Sequence, residues 1–351
     1  MGLPEILFTF SSLAVSAIKR SQRGIVSLIL KDDTGTFDSK EYKSITELKS
    51  TEWTADNLQY IKDAFLGVPS KVIVERIDVD EEDYNDALTR LGSKRWNYLA
   101  IPGIEPVDAL TVSTQVKTWR DNERKTFKAV LPNVAADHEG IINFCTDGIK
   151  VGENTYSASQ YTARIAGILA GLPLTRSATY YVLPEVESIM ESADPDADVD
   201  DGKLILINDG EKVKIGRGVN SLTTTADGKG PDFKKIKIIE GHDLIQEDIT
   251  RTFNNDYVGK VNNSYDNQVL FFTAANSYLR GLEGEVLDSS ANNTVGVDIE
   301  AQRLAWEGIG TDTSAWDDQK VKEMAFQSNV FVTGNLKFLD AVEDLQMKIY
   351  V

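Results

Sequence analysis

The sequence predicts an α/β region followed by an α+β region. Three observations carry this. Short apolar runs alternate with amphipathic stretches over roughly the first half of the chain, the order of a mainly parallel sheet with helices packed on it. A hairpin signal and several long helical stretches follow. The hydrophobic content of 41% is enough for a real core, which excludes a disordered chain. At 351 residues, two or three domains are expected.

The elements follow in order. "EILFTF" at residues 5–10 alternates Ile6, Phe8 and Phe10, a strand pattern. "GIVSLILKDD" is a continuous apolar run, the kind found in a strand buried on both faces. "TADNLQYIKDAFLG" places Leu58, Ile61, Ala64 and Phe65 on one helix face, with Thr54 or Asp56 as cap and Gly67 at the end. "KVIVERI" is a strand, "EEDYNDALTRLGS" a short helix ending at Gly92, and "WNYLAIPG" a strand with a Pro-Gly stop. "PVDALTVSTQVKTWRDNE" is a helix, and "TFKAVLP" and "GIINFC" are strands. The helix "SASQYTARIAGILAGL" is rich in small residues. Glycine inside a helix costs about 0.5–1 kcal/mol against alanine, so Gly167 and Gly171 imply close backbone approach to a neighbour.

"ESADPDADVDDGK" reads as an acidic surface loop. "KLILINDGEKVKIGRGVNSLTT" reads as two strands around Asp209-Gly210. "FKKIKIIEGHDLIQEDITRTF" begins as a strand and becomes a helix. "NQVLFFTAANSYLRGLEGEV" and "DIEAQRLAWEG" are helices. "VFVTGNLKFLDAVEDLQMKIYV" is two strands broken near Leu339–Ala341. In the second, Leu345, Met347, Ile349 and Val351 alternate with Gln346, Lys348 and Tyr350. No further stretch follows to pair with it, so its partner is an open question.

The composition also excludes functions. The net charge of −18 disfavours wrapping nucleic acid, and no basic run is longer than two residues, as at Lys234–Lys235. The single cysteine, Cys145, allows no disulfide within the chain and reads as a small buried hydrophobe. The run 6–18 is too short to span a bilayer. Pro4 and Glu5 stand where a signal peptide has its basic region, so synthesis without export is expected.

No catalytic residue, cofactor site or metal site is assigned. The two histidines, His138 in a loop and His242 just after a strand, belong to no nucleophile motif. "GRGVNS" has two of the three glycines of a dinucleotide loop and reads as a strand edge with close backbone approach. The aspartates at 194, 196, 198, 200 and 201 resemble a calcium loop. With Asp196 at position 1, however, Asp201 replaces the required glycine and Ile207 the final glutamate. At most a weak surface site for calcium remains.

Several segments together resemble the contractile phage tail sheath family. They are "GLPEILFTFSSLAVSAIKRSQRGIV", "YTARIAGILAGLPLTRSAT", "VKIGRGVNSLTT" with "FKKIKIIEGHDLIQEDI" and "DYVGKVNN", and the closing "VFVTGNLKFLDAVEDLQMKIYV". Residues 24–150 match only in their α/β pattern. The short length is similar to the compact sheaths of Gram-positive phages, defective prophages and phage-tail-like bacteriocins.

The resemblance implies a non-catalytic, subtilisin-like α/β domain over 23–235 and a C-terminal α+β domain over 236–340. Extended arms would occupy 1–22 and 341–351. It implies a structural subunit and no enzyme, stacked with its own copies as hexameric rings around an inner tube and shortening to drive that tube through an envelope. Partners would be other copies, the tube protein, and baseplate and terminator proteins, with no nucleic acid and no membrane insertion. The location would be a virion tail or phage-tail-like particle. Inter-subunit strand exchange would fall to Ile6, Phe8 and Phe10 at one end and Leu345, Met347, Ile349 and Val351 at the other. Helices near Gln302–Trp306 and Lys320–Phe326 are candidates to face the tube. The alternatives are a type VI-like sheath and an α/β enzyme with an unrecognised site.

Overall fold

A computed structural model describes residues 17–20, 23–225 and 228–350. The chain forms two compact units. Among the described residues, one unit holds those up to 244 together with those from 340 on, excluding 17–20. The other holds 17–20 and 245–339.

The first unit is built on a seven-stranded sheet. Its strands are β1 (Ile25–Lys31), β2 (Ser39–Tyr42), β3 (Lys71–Ile77), β4 (Tyr98–Ala100), β5 (Lys128–Pro132), β6 (Ile141–Phe144) and β9 (Lys203–Leu204). Between β6 and β9 in sequence lies the hairpin of β7 (Ile149–Val151) and β8 (Asn154–Tyr156). The order across the sheet is β2-β3-β1-β4-β5-β6-β9. All neighbours are parallel except β2 and β3.

Helices cover both faces, which explains why the strands are apolar throughout. On β1, Val26, Leu28 and Leu30 join a core with Ile61 of α1 (Ala55–Phe65) and with Ile165 and Ile168 of α4 (Ala158–Gly171). Ile29 points the other way, into a core with Leu88 and Leu91 of α2 (Asn85–Gly92) and Val112 and Val116 of α3 (Pro106–Asp121). Each such buried side chain contributes about 1.5–3 kcal/mol.

The small residues of α4 serve close packing, as the sequence suggests. A methyl group added at Gly167 would overlap the carbonyl of Ala64, and one at Gly171 that of Gly67. Asp32, at the end of β1, holds the start of α1. Its Oδ2 accepts from Thr54 N (2.8 Å), Thr54 Oγ1 (3.0 Å) and Asn57 Nδ2 (2.8 Å). Burial pushes its carboxyl up, but these donors and Thr34 more than offset that, bringing its pKa down to about 2. Thr54 thus starts the helix without its side chain capping it.

Three expectations differ from the structure. The acidic stretch carries a short helix, α5 (Pro195–Asp200), because Asp194 accepts from Ala197 N and Pro195 opens the turn. The residues expected to begin "FKKIKIIEG" as a strand are a 3-10 turn (Pro231–Lys234) and the start of α6 (Ile236–Thr252). Ile236, Ile239 and Leu244 fall on one helical side and are buried; the extra buried Ile238 is what imitates alternation. His242 is therefore on a helix rather than after a strand. Third, residues 345–350 make no ladder in the single chain. The expected hairpin at Asp209-Gly210 is present, with β10 (Leu206–Asn208) antiparallel to β11 (Val213–Ile215) and Gly210 at φ 91°.

The second unit is α+β. It contains α7 (Tyr265–Gly281), α8 (Ile299–Gly308), α9 (Asp318–Glu323) and a two-stranded antiparallel sheet of β12 (Thr294–Val297) and β13 (Val332–Asn335). Phe271, Phe272 and Val297 centre its core, with Phe253 and Tyr257 packed against them. The expected boundary at 235/236 falls at the start of α6, whose first residues, up to Leu244, group with the parallel-sheet unit.

Candidate inter-subunit arms

The N-terminal residues expected to act as an arm, Ile6, Phe8 and Phe10, lie outside the described residues, as does Val351. The other three, Leu345, Met347 and Ile349, are 82%, 69% and 73% exposed. Among the described residues, none from 340 to 350 makes a backbone–backbone hydrogen bond. An apolar alternation left open in water, with its peptide groups unpaired, is the pattern of a strand without its sheet.

Before that stretch, one side chain is nearly buried. Glu343 accepts from Ser177 Oγ (2.9 Å) and Thr179 Oγ1 (2.6 Å), and faces Arg217 Nε at 3.4 Å. Asp340 pairs with Lys235, and Asp344 with Arg217 at 2.5 Å. No sequence pattern marks Ser177, Thr179 or Arg217 for this. The acids of "DAVED" were visible as part of the family-like close, but not what they touch.

The sheet of the second unit offers one open edge. On β12, both peptide groups of Val295 are taken by the side chain of Asn276 on α7, with N to Oδ1 at 2.8 Å and Nδ2 to O at 3.0 Å. That edge is capped by Asn276 at Val295. All four residues of β13 are exposed, and no described strand pairs with its outer side.

A buried charge cluster was not foreseen. Lys128 on β5 is fully buried, with Nζ 2.5 Å from Asp243 and 2.9 Å from Glu240. Arg120 reaches both Asp243 oxygens at 2.9 and 3.2 Å. Arg23 and the Tyr98 hydroxyl reach Glu240 at 2.8 and 2.6 Å. Burial pushes both carboxyls up, but the cations overcome it and hold each below the ordinary range: Arg23 and Lys128 for Glu240, Arg120 and Lys128 for Asp243. Burial and then Glu240 push the Tyr98 phenol far up. The cluster fastens the first turns of α6 to the sheet. It is structural: each carboxylate is held by cations of the same cluster, while Arg120 also donates to the Phe127 carbonyl and keeps its Nε buried without a hydrogen bond.

Of the helices expected to face a tube, Gln302 is buried and donates to the carbonyls of Val321 and Met324, and Trp306 also donates to Met324. These residues join α8 to α9. Leu304 is the exposed apolar residue on α8. His138 is buried, with Gly140 N donating to Nδ1 and Nε2 beside Asp121. Cys145 is half-buried, and burial raises its thiol to about 11. Among the described residues, no cluster of three or more His, Cys, Asp or Glu could hold a metal ion, and no helix is long and apolar enough to cross a membrane.

Comparison with known proteins decides the family. The profile of the phage tail sheath protein central domain matches residues 78–221, and that of the phage tail sheath C-terminal domain matches 228–351. A tail sheath protein of Clostridium phage phiCD119 is 40% identical over 99% of both chains. The chain belongs to the phage tail sheath family. As a tail sheath protein of a phage or contractile injection system, it is a structural component, not an enzyme. The fold is shared with solved sheath structures. A sheath tail protein from Desulfitobacterium hafniense superimposes with a TM-score of 0.69 at 19% identity, covering 84% of this chain and 94% of that one. A chain of the anti-feeding prophage baseplate does so at 0.68 and 12% identity, covering 100% and 99%.

Proposed function

We propose that this sheath protein polymerises as stacked hexameric rings around an inner tail tube, and that the assembly shortens to drive the tube through an envelope. The observation that carries the reading is the segment 345–350, whose apolar alternation is exposed and whose backbone is unpaired. The family membership supports the rest, and the likeness in fold to a chain of a six-fold symmetrised baseplate is consistent with rings of six. The parallel-sheet unit is the non-catalytic, subtilisin-like domain of this reading.

The segment acts as a strand lent to a second copy, and the outer edge of β13 is the edge that receives it. Strand addition gives about 1 kcal/mol net per hydrogen bond and about 1.5–3 per buried Leu, Met or Ile. Ordering the backbone costs about 1–2 kcal/mol per residue. The terms nearly cancel, so one arm is a weak link. Many arms in a lattice act multivalently and hold the sheath, while each can adjust as subunits move. Tube, baseplate and terminator proteins are the further partners.

The test is a chain ending at Asp344, examined by electron microscopy. It retains Glu343 and its contacts. It should fold as the full chain does and form no sheath tubes. Normal tubes from the shortened chain overturn the arm.

A further inference from the structure

We propose that Ser177, Thr179, Arg217 and Lys235 form a carboxylate-binding site whose ligand is Glu343, and that this site, rather than any backbone pairing, fixes the point from which the C-terminal strand leaves the subunit. The inference deepens the reading of 345–351 as an arm and rests on it only for its purpose.

Glu343 is 7% exposed on its side chain, yet its neighbour Val342 is 99% exposed. A single side chain is thus drawn inward from a segment that otherwise lies in water. Its receptor is built. Ser177 Oγ donates to Glu343 Oε1 and also takes the Thr179 amide at 3.1 Å. Thr179 Oγ1 donates to the same Oε1 and takes the Gly218 amide at 2.9 Å. Each hydroxyl is therefore oriented by a backbone N–H; the Thr179 proton is aimed at the carboxylate, and the single Ser177 proton is shared between Glu343 Oε1 and Thr179 Oγ1, 3.0 Å away. Gly218 allows this approach, since a methyl group there would press on Ser177 Oγ and Ala178. Arg217 and Lys235 supply positive charge on the other side, at 3.4 and 3.9 Å from Oε2. Lys235 also holds Asp340 and Arg217 holds Asp344, so the three acids of residues 340–344 straddle two cations.

The hold is incomplete in a telling way. Glu343 Oε2 is buried without a hydrogen bond and has only the longer ionic contacts. A half-satisfied buried carboxylate is held less tightly than a fully bonded one. With no backbone–backbone hydrogen bond among 340–350, release needs only side chains to part. The site is a latch: firm enough to aim the strand, and separable under the load of a moving neighbour.

The experiment uses the full chain in its unassembled fraction, with Cys145→Ser so that a nitroxide can be placed at Val342→Cys or at Ile349→Cys. Residue 342 lies inside the latched stretch and 349 beyond it. The label at 342 should tumble several-fold more slowly than that at 349 on the nanosecond scale. Glu343→Ala should erase the difference by freeing 342. Ser177→Ala with Thr179→Val, which leaves the arm's sequence intact, should do the same, and Glu343→Gln should have an intermediate effect. Equal mobility at 342 and 349 with Glu343 present overturns the latch, as does a slow 342 label that survives Glu343→Ala and the hydroxyl variants alike. These readouts need no sheath. If the chain ending at Asp344 forms normal tubes, the arm falls while the latch stands.

Discussion

The start of α6 and the root of the C-terminal segment are both fixed to the parallel-sheet unit by carboxylates, Glu240 and Asp243 in one case and Glu343 in the other. At α6 the acids meet three cations and a phenol, all but Arg23 on regular elements, and Lys128 is fully buried. At the C-terminal root one acid meets two hydroxyls and two more distant cations, and the residues on either side are exposed. The same chemistry gives a firm joint where the charges are nearly all buried, and a separable one, on the reading proposed above, where burial is partial. The assembly proposed above needs both: a body that does not deform and a tether that can be handed over.

Breaking the firm joint should have the largest effect on the isolated chain. Asp243→Ala leaves Lys128 and Arg120 buried with less negative charge, a class of change costing about 3–5 kcal/mol. The melting temperature should fall by many degrees. Lys128→Met should cost far less, because three cations face two anions and removing one leaves Arg23 and Arg120 to balance Glu240 and Asp243. If calorimetry finds the two substitutions equally damaging, net charge balance is not what governs the cluster.

A buried acid without such partners sharpens the contrast. Asp63 on α1 is raised to about 6 by burial; Gln59 at 2.7 Å opposes the rise without cancelling it. The folded-state value lies above the ordinary 3.8. The fold therefore favours the protonated form, and stability is lost as pH rises from about 4 through about 6. Asp63→Asn keeps an acceptor for Gln59 and removes the charge. It should stabilise the protein by up to about 3 kcal/mol above pH 6, from about 1.4 kcal/mol per pKa unit, and by almost nothing below pH 4. Melting curves across pH 4–8 check this; a gain independent of pH would place its origin elsewhere.

The parallel-sheet fold was legible because its strands and helices carry their own periodicities. "GIVSLILKDD" announces a strand buried on both faces, and Gly167 and Gly171 announce a helix that must approach another backbone. The start of α6 was misread because Ile236 and Ile238 fit a period of two, and only the partners of the later turns settle the matter. The charge cluster was invisible for a related reason. Lys128 in "TFKAVLP" looks like an ordinary polar residue in a strand, and its partners lie 112 and 115 positions away, as its separations from Glu240 and Asp243 show. Ser177 and Thr179 likewise carry no mark of the distant Glu343. The C-terminal alternation was legible as a strand, but among the described residues nothing pairs with it.

That last point gives the smallest expected effect on the isolated chain and the sharpest division between fold and function. Ile349 is 73% exposed, so Ile349→Asp removes no buried contact and should leave the melting temperature within about 1 °C, as surface changes usually do. On β13, Val332 pairs with Val297 two places from the pair of Val295 with Gly334. The Val295 peptide turns outward to Asn276, so by the alternation of antiparallel pairs the Val332 N–H also points outward. Val332→Pro removes that donor without removing a bond to β12 and should also change stability little. Yet each should abolish tubes, one by placing a charge on the lent strand and the other by blocking the receiving edge. Mixing the two variants should not rescue assembly into a full lattice, because each subunit must both give and receive. If Ile349→Asp abolishes tubes and Val332→Pro does not, the strand is lent to an edge other than β13.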